Sequence, residues 1–247
     1  MRVVLIIACD KREAFTQGSV SDDVPRCSAI PPTNKRTVAI HAISCVLTAP
    51  AGSPPTMIDA PERQIRAVYD EYTIRVYQAY SDEIADAALV RGTFISPPFK
   101  MDRMTWIKPS FLWMMYRAGW GYKDPGQRRV LAIDISREGF HWALEHSCPS
   151  HPEPSMSHED WTRLKAASPV RIQWDPERDL HLQPLPHRAI QIGISGEAVS
   201  LYVNQWIRKI TDITDVAHAI CDLVKRNELD QAQARLPVER PYDSVFG

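Results

Sequence analysis

From Ile65 onward, apolar and polar positions alternate in two rhythms, one near two residues and one near three and a half. Ile65 to Tyr69 and Thr73 to Tyr80 are rich in β-branched and aromatic residues and predict two short strands around Asp70-Glu71. Ser81 then caps a helix over 82–90 that stops at Gly92. Met104 to Lys108 predicts a strand, and Pro109 stands at the favoured first position of a helix over 110–118. Arg129 to Ile135 is the clearest strand; Ser136 and Ser157 cap the helices that follow. Val170 to Trp174 predicts a strand closed by the turn Asp175-Pro-Glu-Arg-Asp179. Ala189 to Ile194 predicts another, with Ser195 capping a helix to about Trp206. Lys209 to Ile213 predicts a last strand, and Thr214 opens helices that run to about Leu236. Strands interleaved with helices at irregular spacing predict a single α+β domain around a split β-sheet with flanking helices.

Residues 1–56 lie outside this pattern. Every Trp and Tyr, and every Phe except Phe15, falls beyond Met57, although aromatic side chains dominate what a core buries. The first segment instead ends in the loop-like run Thr48-Ala-Pro-Ala-Gly-Ser-Pro-Pro-Thr56. We therefore expect a poorly structured appendage over 1–56 and a folded domain over 57–247. The apolar run Val3 to Ala8 is too short for a secretory core, and nothing approaches a membrane span of about 20 apolar residues. The 5 cysteines are odd in number and scattered, which points to reduced thiols and a cytoplasmic setting.

Overall charge is close to balanced, 29 Lys and Arg against 30 Asp and Glu, which excludes a polybasic coat protein. The balance is uneven along the chain. Residues 91–129 hold the cations Arg91, Lys100, Arg103, Lys108, Arg117, Lys123, Arg128 and Arg129 against only Asp102 and Asp124. Phe99, Trp106, Trp113, Trp120 and Tyr122 are interleaved with them. Cations that contact phosphates beside aromatic faces that stack on bases suit a nucleotide or a nucleic-acid strand. A core helix with basic flanks has the same composition.

A second candidate is the strand Ala189 to Ile194. Ile190, Ile192 and Ile194 share one face by the period of two, which leaves Gln191 and Gly193 together on the other, facing either a ligand cleft or solvent. Ser195-Gly-Glu197 offers an anion the free N–H groups of a helix start, or is a plain cap. His146, Cys148, His151 and His158 lack the paired spacing of a metal site, so no metal is expected. No Gly-x-Ser-x-Gly elbow, Walker loop or Gly-x-Gly-x-x-Gly fingerprint occurs.

Four segments carry a family resemblance: Ile74-Arg-Val-Tyr-Gln-Ala-Tyr-Ser81, Arg103-Met-Thr-Trp-Ile-Lys-Pro-Ser-Phe-Leu-Trp-Met-Met-Tyr-Arg117, Val130-Leu-Ala-Ile-Asp-Ile135 and Arg188-Ala-Ile-Gln-Ile-Gly193. In these the chain closely resembles an uncharacterised bacterial and fungal family, domain of unknown function 4291, over about Ala60 to Tyr242. More distantly, the order of Val76-Tyr-Gln-Ala-Tyr80, the helix after it, Trp106-Ile-Lys-Pro-Ser110 with its helix, and Ala189 to Ile194 resembles ADP-ribosyltransferases of the DarT type. That resemblance implies an ADP-ribosyltransferase-like fold that takes NAD as a substrate and modifies a nucleic acid or nucleotide.

By the same resemblance, Lys108 and Arg103 would hold the pyrophosphate or ribose, with Lys108 where an arginine is expected. Trp106 or Tyr77 would stack on nicotinamide, Ser110 would meet a hydroxyl, and Gln78 and Gly193 would line the NAD site. Gln191 stands at the approximate place of the catalytic glutamate, and Gln191 or Glu197, the nearest acid in sequence, would orient the ribose, which makes Gln191, Glu197 and Lys108 the catalytic candidates. An amide there accepts a ribose hydrogen bond but contributes no charge. This departure keeps an RNA 2′-phosphotransferase-like activity and a non-catalytic nucleic-acid-binding module as alternatives. No protein partner is identifiable.

Overall fold

The computed structural model describes residues 61–243, so the expected appendage over 1–56 and the boundary at Met57 lie outside the described residues. The described residues form one mixed α+β domain. Its elements in chain order are β1 (Arg66–Ala67), β2 (Thr73–Tyr80), α1 (Asp82–Arg91), β3 (Thr105–Ile107), α2 (Phe111–Ala118), β4 (Arg129–Ser136), α3 (Arg137–Glu145) and β5 (Ser147–Pro149). There follow α4 (His158–Ala167), β6 (Val170–Arg178), β7 (Pro184–Ile194), α5 (Glu197–Leu201), β8 (Ile207–Asp212), α6 (Thr214–Lys225), α7 (Leu229–Arg235) and β9 (Arg240–Pro241).

The strands divide into a three-stranded sheet of order β2-β4-β8 and a four-stranded sheet of order β3-β7-β6-β5, with a small β1-β9 pair beside them. Both larger sheets are antiparallel except for the β5-β6 pairing. Alternation along the strands explains how the two sheets share a core. Ile74 and Val76 of β2, Leu131, Ile133 and Ile135 of β4, and Ile190, Ile192 and Ile194 of β7 belong to one buried cluster. Each such side chain contributes about 1.5–3 kcal/mol on leaving water. The opposite face of β2 and β4 supplies Tyr77, Val130 and Ala132 to a second cluster, closed by Phe111, Met114 and Met115 of α2 and Ala217 and Ile220 of α6.

Ser136 and Ser157 cap their helices as expected, accepting from Gly139 N and Asp160 N. Pro109 instead lies outside α2, whose cap is Ser110, accepting from Trp113 N, and Ser81 precedes α1 without a side-chain cap bond. α1 terminates at Gly92, whose φ of 74° is open to a residue without Cβ, and its N–H returns to Ala88 O.

Other expectations change. Of the strand expected over Ile65 to Tyr69, only Arg66–Ala67 forms; it pairs with β9, drawn from the far end of the domain, while the bridge Tyr69↔Ile74 joins the stretch to β2. Ser195 does not cap the next helix, because its hydroxyl donates to Pro169 O and α5 begins after Gly196. β6 continues through Asp175 and Pro176 to Arg178. Pro176 is tolerated there because β5 covers β6 only over Val170 to Ile172, leaving that edge without a ladder bond to lose.

The C-terminal segment is a strap. Tyr242 N donates to Ile65 O, Arg66 donates to Glu239 O, and Glu239 Oε1 accepts from Phe111 N at 2.7 Å, at the start of α2. Burial, reinforced by the neighbouring Glu177, pushes the Glu239 carboxyl up from 4.5 to about 8. A carboxyl whose folded pKa is raised stabilises the fold at low pH and loses that contribution as pH rises from 4.5 through 8. Glu239→Gln keeps the acceptor without the charge. In thermal or urea unfolding it is expected to flatten the pH dependence across that window and to add about 1–3 kcal/mol at pH 8.

Candidate functional site

The two large sheets meet at β2 and β3. Tyr77 N donates to Lys108 O at 2.7 Å, the one backbone bridge between these strands. The Gln78 side chain completes the seam. Its Nε2 donates to Thr105 Oγ1 at 2.8 Å and Trp106 O at 3.1 Å, while its Oε1 accepts from the Tyr202 hydroxyl at 2.7 Å. Thr105 Oγ1 also shares a hydrogen bond with the Tyr80 hydroxyl at 2.8 Å. Both amide protons and the carbonyl of Gln78 are thus occupied by protein.

Against this seam lies a cavity of about 590 Å³. Gln78, Trp106 and Lys108 line it from the seam, Gln173 and Gln191 from the polar face of β6 and β7, and Arg103 and Arg117 from its edge. The polar face is a consequence of the strand period. Ile190, Ile192 and Ile194 point to the core, so Gln191 points away from it, directly across from Gln173 in the β6-β7 register. Gly193 is opposite Trp106. A Cβ at Gly193 would come within 2.9 Å of Met104 Sδ and Trp106 Cζ2, so the glycine is what allows the indole to lie against β7.

Asp175, half-buried on the same face of β6, organises the polar wall. Its Oδ2 accepts from Gln191 Nε2 at 2.6 Å and its Oδ1 from Gln173 Nε2 at 2.9 Å. Lys108 is buried nearby. Its Nζ donates to Trp106 O at 3.1 Å and lies 5.6 Å from the centroid of Trp113. Burial lowers its pKa from 10.5 to about 7; Arg117 adds to the fall and Asp175 opposes it.

The structure thus brings Gln78, Arg103, Trp106, Lys108 and Gln191 to one cavity. It does not bring the remaining candidates there. Tyr77 faces the other side of β2 and packs edge-on against Phe111, ring centroids 5.6 Å apart. Ser110 is spent on the α2 cap and on Glu177 Oε1, 2.8 Å away. Gly193 acts through Trp106. Glu197 is exposed at the start of α5 and is not among the lining residues, because α5 departs from the end of β7 beyond Gly196.

Sequence reasoning missed Gln173 and Asp175. Their signal is the alternation of Arg171, Gln173, Asp175 and Glu177 with Val170, Ile172 and Trp174, which the turn-like Asp175-Pro176 pair masked. The basic stretch is also less free than its composition implies. Arg129 is held by Asp86 and Asp212, and Arg128 lies 3.5 Å from Asp82. Cys148 is buried in β5, and among the described residues no three His, Cys, Asp or Glu side chains gather as metal ligands would.

The fold and site define a mixed α+β domain with a basic, amide-walled cavity at the seam of two sheets. Residues 64–242 match the family described as Domain of unknown function (DUF4291), and the chain belongs to that family. No curated protein matches the chain. Among the described residues no helix is long and apolar enough to cross a membrane.

Lys108 gives the site a stability cost. A lysine whose folded pKa lies below its unfolded value opposes folding most strongly at low pH, and the opposition fades as pH rises from about 7 to 10.5. Lys108→Met is therefore expected to raise stability at pH 7 by about 1–3 kcal/mol in chemical denaturation, and to do so less at pH 10.

Proposed function

We propose that this protein is an ADP-ribosyltransferase-like enzyme that binds NAD in the seam cavity and modifies a nucleic acid or nucleotide. The observation that carries this reading is the convergence in one cavity of an indole, cations and a carboxylate-backed amide wall. The volume of about 590 Å³ accommodates a dinucleotide-sized ligand. Trp106 offers the nicotinamide ring a stacking face, and Arg103, Arg117 and Lys108 meet the pyrophosphate.

Breaking the nicotinamide–ribose bond builds positive charge on the ribose. Gln191 supplies an acceptor without charge. Asp175, 2.6 Å from the Gln191 amide nitrogen, supplies the negative field that the glutamine lacks. The nicotinamide leaves with the bonding electron pair, and a nucleophilic oxygen or nitrogen of the acceptor takes the ribose carbon. The exposed Lys100 at the cavity lining offers a contact for the phosphates of an acceptor strand. Gln191 in place of a carboxylate also favours a second reading, transfer of a 2′-phosphate from RNA to NAD.

The test is incubation with labelled NAD together with DNA, RNA, free nucleotides or 2′-phosphorylated RNA. Nicotinamide release is expected, falling by at least about 100-fold in Asp175→Asn and Trp106→Ala. Absence of release with every acceptor, alongside strand binding that weakens with salt, would identify a non-catalytic binding module instead.

Binding should also depend on pH in a defined direction. Burial brings the Lys108 pKa to about 7, and a pyrophosphate beside it favours the ammonium. NAD binding should therefore take up a proton near neutrality, and affinity should weaken as pH rises above about 7, by up to about tenfold per unit. Calorimetry in buffers of different ionisation enthalpy reads the proton directly, and Lys108→Met should remove it.

A further inference from the structure

We infer that the cavity selects ribose over 2′-deoxyribose through two glutamine carbonyl oxygens whose orientation Asp175 imposes. The inference deepens the proposed nucleotide site and rests on that cavity being the ligand site. It starts from donor and acceptor chemistry. A carboxylate accepts hydrogen bonds and has none to give, so a primary amide beside it must turn its NH2 inward. Asp175 meets two such amides, one at each oxygen: Gln173 Nε2 at Oδ1 and Gln191 Nε2 at Oδ2. Rotating either amide by half a turn would set carbonyl against carboxylate, exchanging a charge-assisted hydrogen bond for repulsion.

One N–H of each amide is committed to Asp175, which fixes the amide's direction and leaves each Oε1, together with a second N–H, without a protein partner beside the cavity that the two side chains line. Neither Oε1 accepts a hydrogen bond from any described residue, and neither is sealed away as a buried unpaired atom. Gln78 is the contrast: its carbonyl accepts from Tyr202 and both its protons are donated, so it reads nothing from a ligand. Gln173 and Gln191 are direct register partners on neighbouring strands and hold the two oxygens of one carboxylate, so their side chains are neighbours on the cavity face.

Two adjacent acceptors call for two adjacent donors. The vicinal diol of a ribose provides them, and the cations Arg103 and Arg117 at the cavity edge suit the phosphate that a nucleotide carries on the same sugar. Removing the 2′-hydroxyl leaves one glutamine oxygen facing the ligand without a donor, the kind of mismatch by which a hydrogen-bonding pocket rejects an analogue. Asp175 acts here as a positioning residue, through the amides.

The experiment compares ribose 5-phosphate with 2-deoxyribose 5-phosphate, neither of which contains nicotinamide, by ligand-detected NMR titration of the whole protein. The wild type should bind the ribose compound about tenfold more tightly. In Asp175→Asn, where a neutral amide no longer dictates which way its neighbours turn, the ratio should fall to about twofold or less, whatever happens to overall affinity. Gln173→Leu removes one acceptor and should lower the ratio in the same way. A merely structural loss would weaken both sugars together and leave the ratio unchanged. Equal binding of the two sugars by the wild type, no binding of either, or an unchanged ratio in both variants overturns the inference. Cleavage of NAD by a protein that does not discriminate the sugars would overturn this inference alone. Discrimination without cleavage would sustain it and remove only the enzymatic reading.

Discussion

The side chain of Gln78 is the contact on which the arrangement of this domain turns. It sits on β2, at 3% exposure, and bonds Thr105 and Trp106 of β3 on one side and Tyr202 beyond α5 on the other. A buried amide left unpaired costs about 1–3 kcal/mol for each missing bond, so any shift of β3 relative to β2 is penalised at several atoms at once. With the Tyr77–Lys108 backbone bond alongside, this amide sets how the two sheets approach. Lys108 and Trp106 reach the cavity because the strand that carries them is fixed here.

The cavity sets charges under different degrees of screening against one another. Arg103 and Arg117 are exposed, whereas Lys108 is buried and its ammonium is disfavoured. Asp175 is held by amides and has no cation within ion-pair distance among the described residues, so its charge is not quenched by a salt bridge. A site that keeps a poorly solvated lysine near an amide-held carboxylate sacrifices stability locally, as sites that handle charged ligands commonly do.

Much of this architecture was legible before any coordinates. The caps at Ser136 and Ser157 and the strand of alternating isoleucines before Ile194, which sets Gln191 on the polar face, follow from local rules of period and capping, whereas Trp106 and Lys108 stood out through the clustering of cations with aromatics and through family resemblance. Asp175 was not legible, because a proline one residue later reads as a turn unless the missing neighbour on that edge of β6 is known. Nor was the pairing of β1 with β9, since no local signal specifies which distant segment covers an edge. Tyr77 and Gln78 look equally available in sequence, yet one packs on Phe111 and the other bridges two sheets.

The order of the longer strands and helices, though not β5 or β9, the face that β7 turns to the core, and the concentration of cations and aromatics over residues 91–129 were properties of the sequence alone. They depend on side-chain periodicity and composition, which act over a few residues. Tertiary structure decided which polar residues meet. Gln173, Asp175 and Gln191 form one wall, Lys108 loses its solvent, and Arg128 and Arg129 acquire acidic partners. Hydrogen-bond direction and desolvation arise between segments far apart in the chain, so they exist only once the sheets have closed on each other.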